Sequence, residues 1–326
     1  MAKSRKLEQE QALLAELRDM PMTPETSEQW CKLLSSRQAS IVAQSAKHFG
    51  KRGITQFIPE LVQAFGRFMD KAGHNDPNCL AKTAIAETLY RLEASTTNLF
   101  LQGIRHIQME PVWGGSTDTA AKLRGNCALG LVRSHHPNVM TELADLLADP
   151  EAPARMVAAR AIAYSENPQG VPLLRLRARL GDEPQVLAEY LAALLQLAPA
   201  QSMTFVSGFL SDPNLQVQEL VALALGESKQ PEALEPLVSW WKTVRETELR
   251  GSGLLAIAML RTDDAFQFLI DQVAGGPEMV AQAAIQALEI YRQDQDLWQR
   301  VGDANDHRRS LNRKENGPRQ SRPAKH

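Results

Sequence analysis

Apolar positions fall at helical spacing along almost the whole chain, and they repeat in register with an acidic residue. Asp76, Asp118, Asp149, Asp182, Asp212 and Glu246 are each followed ten positions later by an alanine and thirteen later by a large apolar residue. The alanines are Ala86, Ala128, Ala159, Ala192, Ala222 and Ala256. From Asp118 onward the anchors lie 31, 33, 30 and 34 residues apart. A period of this length marks a two-helix unit stacked on copies of itself, because one helix pair cannot bury its apolar face alone. The pattern predicts an all-α fold, a right-handed α-solenoid of about seven to eight helix pairs.

The ends of the array depart from the pattern. Leu13, Leu14 and Leu17 give a short amphipathic helix over about 7–17, and residues 1–22 read as that helix and a linker. Thr23-Pro24 opens a second helix, with threonine able to cap it and proline at its first position, and Trp30, Leu33 and Leu34 share one face. A degenerate first repeat follows if Ser36 takes the acidic position, since Ala46 and Phe49 then land in register. Pro137, Pro168 and Pro231 each lie nineteen residues after their anchors, where one helix pair should turn into the next. The solenoid is expected over 23–302. From 303 to 326 the chain holds seven basic and three acidic residues with hardly an apolar one, and is expected to be a disordered basic tail.

Within a unit such as Asp149 to Leu174, the aspartate can cap the second helix with Pro150 in its first turn, while Ala159 and Ala161 keep the helix thin enough for a neighbour to approach. Six residues after the anchor comes Lys82, Arg124 or Arg155, and Gln218 in a later unit. This Asp-Pro, basic, Ala-rich spacing resembles HEAT repeats over residues 36 to about 300, and the whole chain looks like a stand-alone bacterial-type HEAT-repeat protein. The resemblance implies a structural ladder between units in which Asp76, Asp118, Asp149 and Asp212 meet Lys82, Arg124 and Arg155.

Composition narrows the function classes. The 36 basic and 38 acidic residues nearly cancel, so no strong global field recruits nucleic acid or anionic membrane. Cys31, Cys79 and Cys127 are far apart and form no CxxC pair, which fits a reducing cytoplasm. The basic start runs into Leu-Glu-Gln-Glu-Gln, so no export is implied. The charge-free stretch Leu191–Leu210 contains Pro199 and several polar residues, and reads as two buried helices rather than a membrane span.

Candidate chemistry is sparse. None of the seven histidines is followed by glutamate, so the His-Glu pairs by which the HEAT-like deoxyhypusine hydroxylases hold iron are missing, and no metal or cofactor is expected. HEAT-like DNA glycosylases use a basic, aromatic-lined groove, but the inner positions here mix Lys122, Arg160 and Arg250 with Glu87, Glu189 and Glu219. Trp240-Trp241 aligns with Leu146-Leu147 and reads as core. Phycobilin lyase subunits share the Ala-rich repeat style without a shared pocket signature. The long gap from Asp76 to Asp118 holds Gln108-Met109-Glu110-Pro111-Val112-Trp113-Gly114-Gly115. This loop is either an ordered binding feature, with Trp113 as anchor and Arg105, His106 and Glu110 beside it, or a plug in which Trp113 folds back between two units.

The expectation is a non-catalytic, cytoplasmic protein–protein interaction scaffold, not an enzyme, with another protein as partner and no membrane. Its contact region would be Arg105, His106, Glu110, Trp113, Lys122, Arg124, Arg155 and Arg160. The rival readings are a nucleic-acid binder or DNA-repair glycosylase, and a lyase-like or protein-modifying subunit.

Overall fold

A computed structural model describes residues 2–70 and 72–315. The fold is an all-α solenoid of helix pairs with one β-hairpin let into it. The helices are α1 (Ala2–Leu17), α2 (Pro24–Leu34), α3 (Ala39–Arg52), α4 (Ile58–Met69), the single turn α5 (Ala72–Asn75), α6 (Leu80–Arg91) and α7 (Thr97–Ile104). After β1 (Met109–Val112) and β2 (Gly115–Asp118) come α8 (Ala121–Arg133), α9 (Val139–Leu147), α10 (Ala152–Tyr164), α11 (Gly170–Leu180) and α12 (Pro184–Leu197). Then follow α13 (Pro199–Ser207), α14 (Leu215–Glu227), α15 (Leu234–Thr243), α16 (Thr247–Met259), α17 (Asp263–Gly275), α18 (Glu278–Leu288) and α19 (Gln295–Glu315).

Two compact units divide the chain, the first ending at Ala193 and the second beginning at Leu194. In the first, the second helices of successive pairs, α3, α6, α8 and α10, stack one on the next, with α2, α4, α7 and α9 as their partners. The alanines ten residues after each anchor explain the close stacking: Ala46, Ala86, Ala128 and Ala159 have no solvent exposure and carry too little side chain to hold the helices apart. Phe49, Leu89, Leu131 and Ile162 fill the layers between them. In the second unit α14, α16 and α18 stack in the same way, with Ala222 and Ala256 fully buried, and α19 packs on α17.

Local signals account for the helix ends. Thr23 and Thr26 form a capping box, the Thr23 hydroxyl accepting from the Thr26 N–H (3.2 Å) and the Thr26 hydroxyl from the Thr23 N–H (2.8 Å). Five of the second helices, α3, α6, α8, α10 and α14, end on a residue in the left-handed region, Gly53, Glu93, His135, Glu166 and Lys229, each seventeen positions after Ser36 or an acidic anchor. Only the first is a glycine.

Several expectations need correction. Asp149 does not cap α10, which begins at Ala152; its carboxylate accepts from the Glu151 N–H at 2.8 Å, closing a turn before the helix. The segment from 303 to 315 continues α19 as helix, because Leu297, Val301 and Ala304 bury one face and Arg308 is itself buried, donating to Glu278 at 2.7 Å. Residues 316–326 of the expected tail lie outside the described residues. Among the described residues, no helix is long and apolar enough to cross a membrane; Leu191–Leu210 is divided between α12 and α13.

Candidate functional site

The long gap between anchors is filled by the antiparallel pair β1–β2, with Met109 opposite Asp118 and Val112 opposite Gly115. Trp113 and Gly114 make the turn, and Gly114 supplies the positive φ (+87°) that a tight reversal needs.

The polar side of β1 faces the protein. Gln108 is buried: its amide oxygen accepts from Lys82 Nζ (2.7 Å), its amide nitrogen donates to the Asp76 carbonyl (2.8 Å), and its backbone N–H donates to Asp118 (2.9 Å). The Glu110 carboxylate accepts from the Asn78 N–H (2.8 and 3.0 Å) and from the Thr119 hydroxyl (2.9 Å). It thereby holds a turn in which Asn78 and Cys79 both take positive φ (58° and 52°). Partial burial pushes the Glu110 pKa up, but the bonds from Gln108, Asn78 and Thr119 outweigh it and hold the carboxyl below its ordinary range.

The apolar side chains of the hairpin are in water. Ile107, Met109 and Val112 are half exposed or more (66%, 56% and 50%), and Trp113 is fully exposed (101%). Trp113 therefore does not fold back between units; Gln108, not the indole, occupies the interior at this point. The plug reading is overturned for that reason.

The candidate cations fall into three groups. Arg124 and Arg155 are buried rungs of a ladder. Arg124 donates to Asp118 of its own pair (2.6 Å) and Asp149 of the next (2.8 Å), and to the His106 carbonyl (2.9 Å). Arg155 donates to both Asp182 oxygens (2.8 and 2.5 Å) and to the carbonyls of Asp149 and Pro150 (2.9 and 2.8 Å). Both guanidiniums are spent inside the array, so neither offers a contact surface. Lys82 and Asp76 pair in the same row, while at Asp212 the rung is neutral: Gln218 donates to the Asp212 carbonyl (2.7 Å) and accepts from Trp240 Nε1 (2.9 Å). Trp240 and Trp241 are buried.

Arg105 and Arg160 are exposed but paired, Arg105 with the buried Glu142 and Arg160 with Glu189 (2.7 and 2.5 Å). Lys122 is exposed on α8. His106 is half-buried, its Nε2 3.3 Å from the Gln108 amide oxygen, and burial holds its pKa below the ordinary histidine value. The structure thus gathers His106, Glu110 and Trp113 at the hairpin with Arg124 beneath it, and leaves Arg155 and Arg160 outside that group. Gln108, Met109 and Ile107 were not singled out in the sequence. Their signal was the alternation of apolar odd and polar even positions from 107 to 110, ahead of a Trp-Gly turn that lacks the usual Asn-Gly.

Among the described residues no group of three or more His, Cys, Asp or Glu is placed to hold a metal ion. Clefts between successive turns, such as one of about 500 Å³ lined by Arg133, His135, His136, Tyr164 and Asn167, mix both charge signs with Glu166.

Comparison with curated proteins finds no match. Similar solved structures include the complex of CpcE and CpcF of phycocyanin lyase from Nostoc sp. PCC7120, at 16% identity over 89% of this chain and 96% of that one, with a TM-score of 0.39. Human deoxyhypusine hydroxylase in complex with glycerol matches at 13% identity over 90% and 99%, with a TM-score of 0.27. An engineered protein matches at 17% identity over 87% and 96%, with a TM-score of 0.17. Residues 202–289, which run from within α13 to the end of α18, match the family model of HEAT repeats.

Proposed function

We propose that this protein is a non-catalytic interaction scaffold that engages a protein partner through the β1–β2 hairpin. One observation carries the reading: a tryptophan with its whole side chain in water, at the tip of a hairpin whose base is fastened by Gln108 to the buried Lys82–Asp76 pair and by Glu110 to the Asn78 turn. An exposed indole on a mobile loop would cost entropy to bind, whereas one on a fixed support contributes its area with little ordering cost. Aromatic anchors of this kind carry much of the energy of protein interfaces. The helix pairs serve as the rigid frame, and the three free cysteines suit a cytoplasmic setting.

Phosphate recognition is less well supported. Arg124 and Arg155 are buried, and Arg105 and Arg160 are neutralised by carboxylates, so of the candidate cations little but Lys122 is left to follow a nucleic-acid backbone. The test is affinity capture with wild type and Trp113→Ala side by side, with the helical circular-dichroism spectrum of both recorded. A protein enriched by wild type and lost from the variant supports the reading. Identical catches overturn it, and salt-sensitive retention of DNA or RNA would move the assignment to nucleic-acid binding.

A further inference from the structure

The two edges of the hairpin differ in a way that points to its partner. Antiparallel partners alternate between pairs that exchange two backbone hydrogen bonds and pairs that exchange none. Pro111 lies opposite Ser116 and has no N–H, so this is a non-bonded pair. It follows that the Ser116 N–H and C=O point away from β1, to the outer edge of β2. The same alternation turns the Pro111 nitrogen to the outer edge of β1 and leaves a donor missing there. One edge is thus blocked by proline, a common protection of exposed strands, and the other is open.

Nothing protects the open edge. Gly115, Ser116 and Thr117 are exposed and uncharged, and among the described residues no further strand lies beside β2. From 107 to 117 the only ionisable side chain is Glu110, which is bonded inward. Asp118 is held by Arg124. A surface with free charge of one sign repels its own copy, and this one carries none. An antiparallel β2–β2 pair is also symmetric by construction, as a twofold interface requires.

Resting on the reading of the hairpin as the contact surface, we propose that its partner is a second copy of this chain: the two β2 edges pair about a twofold axis at Ser116, making a four-stranded antiparallel sheet. Ser116 then exchanges both backbone bonds with its counterpart, and Thr117 lies opposite Gly115 of the second copy, with no charge or bulk in the way. The area is sufficient for a modest dimer. Each Trp113 offers roughly 250 Å², so two supply about half of the roughly 1,000 Å² that a specific interface must clear. Ile107, Met109 and Val112 of both copies stand exposed beside them to add to it.

Sedimentation velocity over a dilution series tests this. Wild type is expected to shift from dimer to monomer in the micromolar range. Ser116→Glu and Ser116→Lys each place two like charges face to face at the axis, weakening association about a hundredfold or more. An equimolar mixture of the two variants should restore a dimer, which a merely misfolded hairpin would not do. Ser116→Pro removes the outward N–H without touching the β1–β2 bonds and is expected to be monomeric. A wild type that stays monomeric at every concentration overturns the proposal, as does a dimer indifferent to all three substitutions. If wild type is monomeric while Trp113→Ala still loses a captured protein, the second-copy proposal falls and the contact-surface reading stands. If the captured set is also unchanged, both fall.

Discussion

Lys82 and Asp76 form an ion pair with no solvent exposure on either side chain, Nζ lying 3.3 Å from Oδ2. The ammonium also donates to the Phe68 carbonyl (3.2 Å) and the Gln108 amide oxygen (2.7 Å), and the carboxylate accepts from the N–H groups of Ala81 and Lys82 (2.8 and 3.0 Å). Replacing Lys82 with methionine leaves a buried carboxylate unpaired and an amide oxygen without its donor. The expected loss is about 3–5 kcal/mol, read from the urea midpoint. Adding Asp76→Asn to Lys82→Met should recover part of it, because the neutral amide removes the orphaned charge. A Lys82→Met protein as stable as wild type would show that the pair contributes nothing.

Trp113→Ala should shift the unfolding midpoint by no more than about 0.5 kcal/mol, as is usual for surface changes that break no special feature. Glu110→Ala deprives the Asn78 N–H and Thr119 of their acceptor and should cost about 1–3 kcal/mol, with faster amide exchange at Asn78 and along β1. This contrast separates a residue held out for contact from one that fastens the hairpin. Equal losses in the two variants would mean that Trp113 supports the fold after all.

The legibility of this chain follows from what each feature depends on. The stacking alanines were readable because close helix approach permits nothing larger, so Ala86, Ala128 and Ala159 had to recur. The pairing of Arg124 with two aspartates was foreshadowed by spacing, yet the same spacing gave no warning that Lys82 meets Gln108 rather than Asp118. The hairpin was hidden because its polar residues face inward, the reverse of an ordinary surface strand, and because Trp-Gly is a rare turn. The continuation of α19 past 303 was hidden because a few apolar residues and one buried arginine suffice when a neighbouring helix supplies the rest of the core.

Asp182 gives the fold a defined acid limit. Burial pushes its pKa up, but the Arg155 guanidinium, the Glu183 N–H and the Tyr190 hydroxyl outweigh this and bring it down to about 2. Its folded pKa thus lies below that of the unfolded chain, so its contribution is fully present above the ordinary aspartate range and is lost as pH falls from about 4 towards 2. The expected loss is about 2 kcal/mol for this group. Asp182→Asn should lower stability at neutral pH and flatten the acid limb of the stability profile. An unchanged limb would mean that other carboxylates govern the transition.

Lys229 closes α14 with a φ of +55°, a conformation that costs an L-residue with a side chain about 1–2 kcal/mol. Glycine adopts it freely but loses more entropy on folding. Lys229→Gly is therefore expected to stabilise the protein by about 0.5–1 kcal/mol. Lys229→Val, branched at Cβ, should destabilise it. A loss in the glycine variant would indicate that the lysine side chain makes contacts worth more than the backbone strain.

One chemical change, glycine to alanine, should act with opposite sign at two helical positions. A Cβ on Gly226 in α14 would lie 2.2 Å from the Ala256 carbonyl oxygen and 2.9 Å from its Cα, so it meets the backbone of α16 and not a side chain that can swing away. The two helices would have to separate along their whole contact, opening the layer that Ala222 and Leu225 close on one side. Overpacking against rigid backbone puts the cost at about 3 kcal/mol or more. Gly66 in α4 is exposed, and a Cβ there meets nothing within 4 Å. Gly66→Ala keeps every contact and removes backbone freedom from the unfolded chain, a gain of about 0.5–1 kcal/mol. Urea midpoints moving in opposite directions would locate the tolerance of this fold in its outer helices and its intolerance where second helices stack. A neutral Gly226→Ala would mean that α14 and α16 can move apart at little cost, and that the stack is not rigid at this point.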